Sequence, residues 1–218
     1  MKIAVLGTGM VGDSIGSKLI ELGHQVRMGS RTANNEKAVA FVAKHKGGAS
    51  AGTFLEAAAF GEIIFNCTKG ESSIDALRVA ESALHGKILV DVANPLDFSK
   101  GMPPSLIPSL SNTNSLGEEI QKTFPKTRVV KTLNTMWCGL MVNPNLIGGG
   151  NHINFICGND TQAKAAVSVL LHQFGWRSEN IFDLGDIANA RGTEMLLPIW
   201  LRIWKVTQNG TFNFNIVS

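Results

Sequence analysis

The chain of 218 residues contains no tyrosine. A tyrosine–lysine proton relay, one common way for a small dehydrogenase to polarise a carbonyl, is therefore excluded. Cysteine is scarce, with only Cys67, Cys138 and Cys157 present. Their number is odd and their spacing fits no metal motif, so neither a closed disulfide framework nor a thiolate metal centre is expected. Cys67 and Cys157 end the strand-like runs "IIFNC" and "INFIC" and read as reduced core residues. Cys138 follows Trp137 in an expected loop, and a reactive thiolate there is the weaker alternative because no basic neighbour would lower its pKa. No uncharged apolar run approaches the roughly 20 residues of a membrane span. The nearest candidate, "MLLPIWLRIW", contains Pro198 and Arg202. The opening "MKIAVLG" has one lysine and a short apolar run, and Asp13 soon follows, so no secretory signal is expected. Basic clusters are also missing. The net charge of +3 is spread along the chain, which argues against nucleic acid as a partner. A cytoplasmic protein without membrane contact is the expectation.

What is present is an alternation. With 44% hydrophobic residues the chain can bury one sizeable core. Strand-like runs rich in Val and Ile are "KIAVLG", "HQVRMG", "EIIFNCT", "GKILVDVANP", "RVVKTLN" and "INFICGN", with a weaker one near Ala49–Ala51. Helical spacing separates them over residues 13–22, 36–44, 54–60, 72–84, 115–123 and 161–174, and Ser115 and Glu118 have the spacing of a capping box. The pattern predicts an α/β fold, a doubly wound, mostly parallel sheet covered on both faces. Two parts break the rhythm. Residues 97–114 are rich in Ser, Pro and Asn and form a long connection, a candidate lid or a plain surface loop. Residues 186–218 read as one longer helix and a strand, Thr211–Val217, in which Phe212, Phe214 and Ile216 share a face. The division is a nucleotide-binding domain over 1–185 and a C-terminal extension over 186–218.

The most informative motif is "GTGMVG", Gly7 to Gly12, a G-x-G-x-x-G directly after a strand and opening a helix. Gly7 permits a tight turn, Gly9 a close approach of pyrophosphate, and Gly12 close packing of helix on strand. Thr8, Met10 and Val11 complete the turn, whose free N–H groups face the phosphates. About 20 residues on, an acidic residue normally accepts from a ribose 2′-hydroxyl. The chain has "VRMGSRTANN" there instead. Ser30 and Thr32 offer hydroxyls, Arg31 a guanidinium that can fork onto phosphate, and Lys37 further charge. The cofactor expected is NADP(H). The alternative is that Arg31 is an ordinary solvated charge.

Ligands of open α/β sheets lie beyond the carboxyl ends of the strands. Those ends carry Thr68 and Lys69, Asn94 and Pro95, and Asn134 and Thr135, candidates for the nicotinamide half unless they only cap turns. Among His24, His45, His85, His152 and His172 no His/Asp couple stands out, and His152 reads as structural. No catalytic residue is assigned and no metal is expected. An acceptor whose own ring takes the hydride is favoured, with the protein supplying orientation.

"KIAVLGTGMVGDSIGSKLIELGHQVRMGSR", "VDVANPL", "KTLNTM" and "ANARGTEMLLPIWLRIW" closely resemble the NADPH-dependent coenzyme F420 reductase family, over nearly the whole chain. The family is similar to the reductase domain of the STEAP metalloreductases and, remotely, to pyrroline-5-carboxylate reductase. The resemblance implies a Rossmann domain with a small C-terminal part, NADP held by Thr8 to Val11 and by Ser30 and Arg31, F420 or a flavin as acceptor, and a homodimer. Trp137, after "LNTM", would restrict a deazaflavin or stack on another acceptor. Two alternatives stay open. One is a reductase of small imines or carbonyls, although its large helical domain has no counterpart in residues 186–218. The other is a non-catalytic NADP(H) sensor. A dimer contact centred on Trp200 and Trp204, with the acceptor pocket beside that helix, is expected for the extension.

Overall fold

A computed structural model describes residues 1–217. Strands β1 (Lys2–Leu6), β2 (Gln25–Ser30), β3 (Ala49–Thr53), β4 (Ile63–Asn66), β5 (Ile88–Asp91), β8 (Arg128–Thr132), β9 (Asn154–Cys157) and β10 (Ile181–Asp183) form one sheet. Its order is β10-β9-β8-β5-β4-β1-β2-β3. Six strands run parallel from β3 to β8. β9 is antiparallel to β8, and β10 follows β9 in parallel. The fold is the expected Rossmann type, with crossover helices covering both faces.

Successive side chains of the central strands enter opposite layers of the core. Ile3, Val5, Ile63, Phe65 and Val90 join one layer with Ile15, Leu19, Phe41 and Val167. Ala4, Leu6, Ile64 and Leu89 join the other with Ala57, Leu77 and Ile120. The first layer rests on α1 (Met10–Glu21), α2 (Glu36–Lys44) and α8 (Thr161–Gln173). The second rests on α3 (Phe54–Phe60), α4 (Ser73–Val79), α5 (Glu81–Leu84) and α6 (Leu116–Thr123). Each fully buried large aliphatic or aromatic side chain is worth about 1.5–3 kcal/mol, which is why a run apolar at every position is stable only in mid-sheet.

Several boundaries differ from the sequence expectation. The helix expected over 72–84 is interrupted at Ala80. Cys138, expected in a loop, begins the short helix α7 (Cys138–Val142) and is buried. β10 lacks the Val/Ile-rich run that marks the other strands. Only half of the capping box forms. The Ser115 hydroxyl accepts from the Glu118 N–H (3.1 Å), but the Glu118 carboxylate turns to Arg191. The connection over 97–114 contains a small hairpin, β6 (Leu96–Asp97) with β7 (Ser105–Leu106).

The largest correction concerns the C-terminus. Helix α9 (Ala190–Thr207) runs unbroken through Pro198, but residues 211–217 form no strand. One backbone bond, from the Ile153 N–H to the Phe214 carbonyl (3.0 Å), ties this tail to the domain. Side chains do the rest. Phe212 stacks on Trp200 with centroids 5.1 Å apart, and the Asn213 amide reaches Nδ1 of His152 and the Ile153 carbonyl. Phe212 and Phe214 do pack together, as the alternation suggested, but against helix α9. Trp200 is only 8% exposed and Trp204 is half-buried in the same cluster, so this pair is directed mainly at its own tail, not at solvent.

Candidate cofactor site

The three motif glycines have different physical reasons. Gly7 has φ +115°, and a Cβ there would strike the Cys67 carbonyl. A Cβ on Gly12 would strike the Gly7 carbonyl. Around Gly9 nothing lies within 4 Å of the position a Cβ would take. Gly7 and Gly12 are thus required by the fold itself, and Gly9 is not. Gly9 caps α1 without a side chain, and the first helical bond runs from the Asp13 N–H to the Gly9 carbonyl (2.9 Å). The N–H groups of Met10, Val11 and Gly12 precede that bond and have no acceptor within the helix. Thr8 is half-buried and Met10 exposed.

The Gly7 N–H donates to the Gly29 carbonyl (2.9 Å), which fixes the turn against the end of β2. Ser30 is buried there and its hydroxyl donates to the Thr32 carbonyl. Arg31, Thr32 and Lys37 are exposed. Neither Arg31 nor Lys37 takes part in the ion pairs found among the described residues. The Asn35 carboxamide caps α2 by accepting from the Lys37 and Ala38 N–H groups, which orients the Lys37 backbone and leaves its ammonium free. Glu36 is the acidic neighbour in this turn.

The other strand ends gather around a depression of about 220 Å³. Val11, Cys67, Thr68, Lys69, Asn94 and Phe98 line it. Val11 comes from the glycine turn, Thr68 and Lys69 from the loop after β4, and Phe98 from the hairpin connection. The expected polar candidates are present but occupied. The Thr68 hydroxyl bonds Oδ1 of Asn66 (2.7 Å) and Oγ of Ser73 (2.8 Å). The Asn94 amide donates to the Asn134 carbonyl (2.8 Å) and accepts from the Asn134 amide (2.9 Å). Pro95 and Thr135 are buried beside them. Lys69 is exposed. Trp137 is 38% exposed and packs near Gly139 and Gly210.

Other candidates serve the fold. All three cysteines are free. Burial pushes the Cys67 thiol far up and the Cys157 thiol to about 12, so neither supplies a thiolate near neutral pH. His24 bonds Gln173, His45 bonds Ser17, His152 bonds the Pro144 carbonyl, and His172 bonds the Trp176 carbonyl. Among the described residues no His, Cys, Asp or Glu group could hold a metal, and no helix is long and apolar enough to cross a membrane. A second, larger groove of about 290 Å³ lies beside α8, but its Lys164 is already paired with Asp183 (2.8 Å).

Sequence reasoning missed one feature altogether. Lys131, Asp91 and Glu194 form a fully buried ionic cluster below this depression. The signal was available. Lys131 stands inside "RVVKT", Asp91 ends "ILVD", and Glu194 precedes "MLLPIW". A charge inside a run that must be buried demands partners.

A strand–glycine turn–helix unit in a doubly wound sheet, with a basic end to its second strand, defines a dinucleotide-binding protein of the Rossmann class. Residues 2–95 match the family described as NADP oxidoreductase, coenzyme F420-dependent. A structure from Arthrobacter sp. FB24, described as a candidate F420-dependent NADP reductase, is 49% identical, with TM-score 0.93 and full coverage of both chains. Metalloreductase STEAP3 of Rattus norvegicus is 31% identical over 212 residues, which span 94% of this chain and 38% of that protein. An imine reductase from Streptomyces aurantiacus, 17% identical with TM-score 0.65 over 95% of this chain and 64% of its own, shares the fold. The chain belongs to the coenzyme F420-dependent NADP oxidoreductase family.

Proposed function

We propose that the groove holds NADP(H) and that the enzyme passes a hydride between it and a flat ring acceptor, F420 or a flavin. The open space at Gly9 carries this reading. It is the one motif glycine that the fold does not need, and it stands beside the unpaired N–H groups of α1. Pyrophosphate fits there, held by Thr8 to Gly12. Arg31 and Lys37 hold the 2′-phosphate, with the Thr32 and Ser30 hydroxyls beside them. The nicotinamide half lies along Thr68, Lys69, Asn94 and Pro95, with Asn134 and Thr135 behind. When bound, the cofactor supplies the hydride. The chain's own residues orient the rings and exclude water.

Phe98 and Trp137 are exposed apolar surfaces suited to a flat acceptor, and Gly210 of the C-terminal tail lies against Trp137. Met195 and Ile199, 42% and 47% exposed, lie on one face of α9 and suit packing against a second copy. The homodimer reading thus moves from the Trp200–Trp204 pair to this stripe. Three free thiols, two of them buried, suit a reducing, cytoplasmic setting.

The deciding experiment measures NADPH and NADH oxidation in parallel against F420, FMN, FAD, quinones and ferric chelates. Turnover with one ring acceptor, favouring NADPH, is expected. Tight NADPH binding without turnover on any acceptor would replace the enzyme reading with that of a sensor.

A further inference from the structure

The buried cluster of Lys131, Asp91 and Glu194 is the largest unexplained polar feature of the molecule. Lys131 lies mid-sheet with no exposure. Its ammonium meets Oδ2 of Asp91 (2.8 Å), Oε1 of Glu194 (2.8 Å) and the Ala93 carbonyl. Three donors have three acceptors, so the group is saturated. Buried ion clusters are a poor source of stability, since apolar side chains of equal volume commonly serve as well or better. The contacts of this cluster extend well beyond it.

They lead to the pocket loops. Oδ1 of Asp91 accepts from the Ala93 N–H (3.2 Å) and from the Asn66 amide (2.8 Å). Both peptides of Ala93 are therefore clamped, immediately before Asn94. Oδ1 of the Asn66 carboxamide accepts from the Thr68 hydroxyl (2.7 Å) and N–H (3.3 Å). At its other end Glu194 accepts from the N–H groups of Leu116 (2.8 Å) and Gly117 (3.0 Å), at the start of α6. A continuous path thus runs from α9 through the sheet to the rim of the depression. It is not a proton relay. The Asn66 carboxamide interrupts it and has no proton to pass on near neutral pH.

We propose that Glu194, Lys131 and Asp91 are positioning residues that set the loops after β4 and β5 for the nicotinamide half of the dinucleotide. The adenosine half, on the glycine turn and the end of β2, is independent of them. The inference rests on the NADP(H) reading of the groove. It makes α9 an element that governs one end of the cofactor from behind the sheet.

The test compares two ligands on each variant. NADPH spans the groove, and 2′,5′-ADP fills only the adenosine and 2′-phosphate end. In Glu194→Gln, NADPH affinity should fall about tenfold, the size of one misplaced hydrogen bond, with 2′,5′-ADP affinity unchanged. Asn66→Ala cuts the link between Asp91 and the loop after β4 at a fully buried residue that does not line the groove, removes no charge, and should shift the same ratio in the same direction, by less. It decides the matter alone if Glu194→Gln does not fold. A ratio unchanged in the folded variants overturns the proposal, and so does a proportional loss of both ligands, which would mark a merely structural cluster. A wild type that binds neither ligand refutes the NADP(H) reading before any substitution is made.

Discussion

The two ends of the groove are built on opposite plans. At the adenosine end Gly9, Arg31, Thr32 and Lys37 are exposed, and Arg31 and Lys37 are free of the ion pairs found among the described residues. At the other end Thr68, Asn94 and Asn134 are bonded to neighbours, and a buried ionic cluster stands behind them. The first end holds its chemistry ready for a ligand. The second holds its loops in place. Substitutions at the first should therefore change binding and spare the fold, and substitutions at the second should affect both.

The sharpest test lies within the glycine turn. Gly9→Val should remove detectable NADPH binding and leave the melting temperature nearly unchanged, because the side chain enters open space that pyrophosphate would need. Gly12→Val should instead destabilise by about 3 kcal/mol or more, because its side chain meets backbone. A folded Gly9→Val protein that still binds NADPH would abolish the distinction.

At the buried end, Lys131→Met leaves two carboxylates without their shared cation. A loss of about 3–5 kcal/mol is expected in denaturant unfolding, the usual cost of removing one partner of a buried pair. A loss below about 1 kcal/mol, the range of surface pairs, would mean that water reaches the cluster.

Next in size is Arg31→Ala. NADPH binding should weaken by about 1.5–3 kcal/mol, the worth of hydrogen bonds to a charged group, and NADH binding should barely change. Unfolding should be unaffected, since Arg31 is exposed. Equal weakening of both cofactors would show that Arg31 does not face the 2′-phosphate.

The same contrast explains what could be read from the sequence. The sheet was legible because a strand covered on both faces is a nearly continuous apolar run, as Ile63–Phe65 and Ile88–Val90 are before Asn66 and Asp91 end their strands. The adenosine end was legible because its chemistry depends on residue type at a fixed distance from the turn. The C-terminal tail was not. Phe212, Phe214 and Ile216 alternate as in a strand, yet their packing partners lie on α9, and nothing local distinguishes ring stacking from a ladder. The pairing of Asn94 with Asn134, 40 residues apart, was equally hidden. So was the Lys131 cluster, whose members lie on β5, β8 and α9.

The smallest expected effect concerns how α9 is fastened to α6. Two carboxylates do this. Glu194 reaches from α9 to the Leu116 and Gly117 N–H groups, and Glu118 reaches from α6 to Arg191 with a forked pair of bonds of 2.8 and 2.6 Å. Their titrations run in opposite senses. The Arg191 bond, with help from Ser115, holds the Glu118 carboxyl below its ordinary value. Its contribution is fully present above that ordinary value and is lost as pH falls through the lowered one. Burial, opposed by Lys131, raises the Glu194 carboxyl. Its protonation favours the folded state, so its contribution is present below the ordinary value and lost as pH rises through the raised one. Glu118→Gln should therefore cost a little stability at neutral pH, less than any change above because the pair is half-exposed, and the difference from wild type should vanish in acid. Paired unfolding curves at neutral pH and at pH values below the ordinary glutamate range would show it. A Glu118→Gln deficit that grew as pH fell would mean that the Arg191 bond does not hold Glu118 in its charged form.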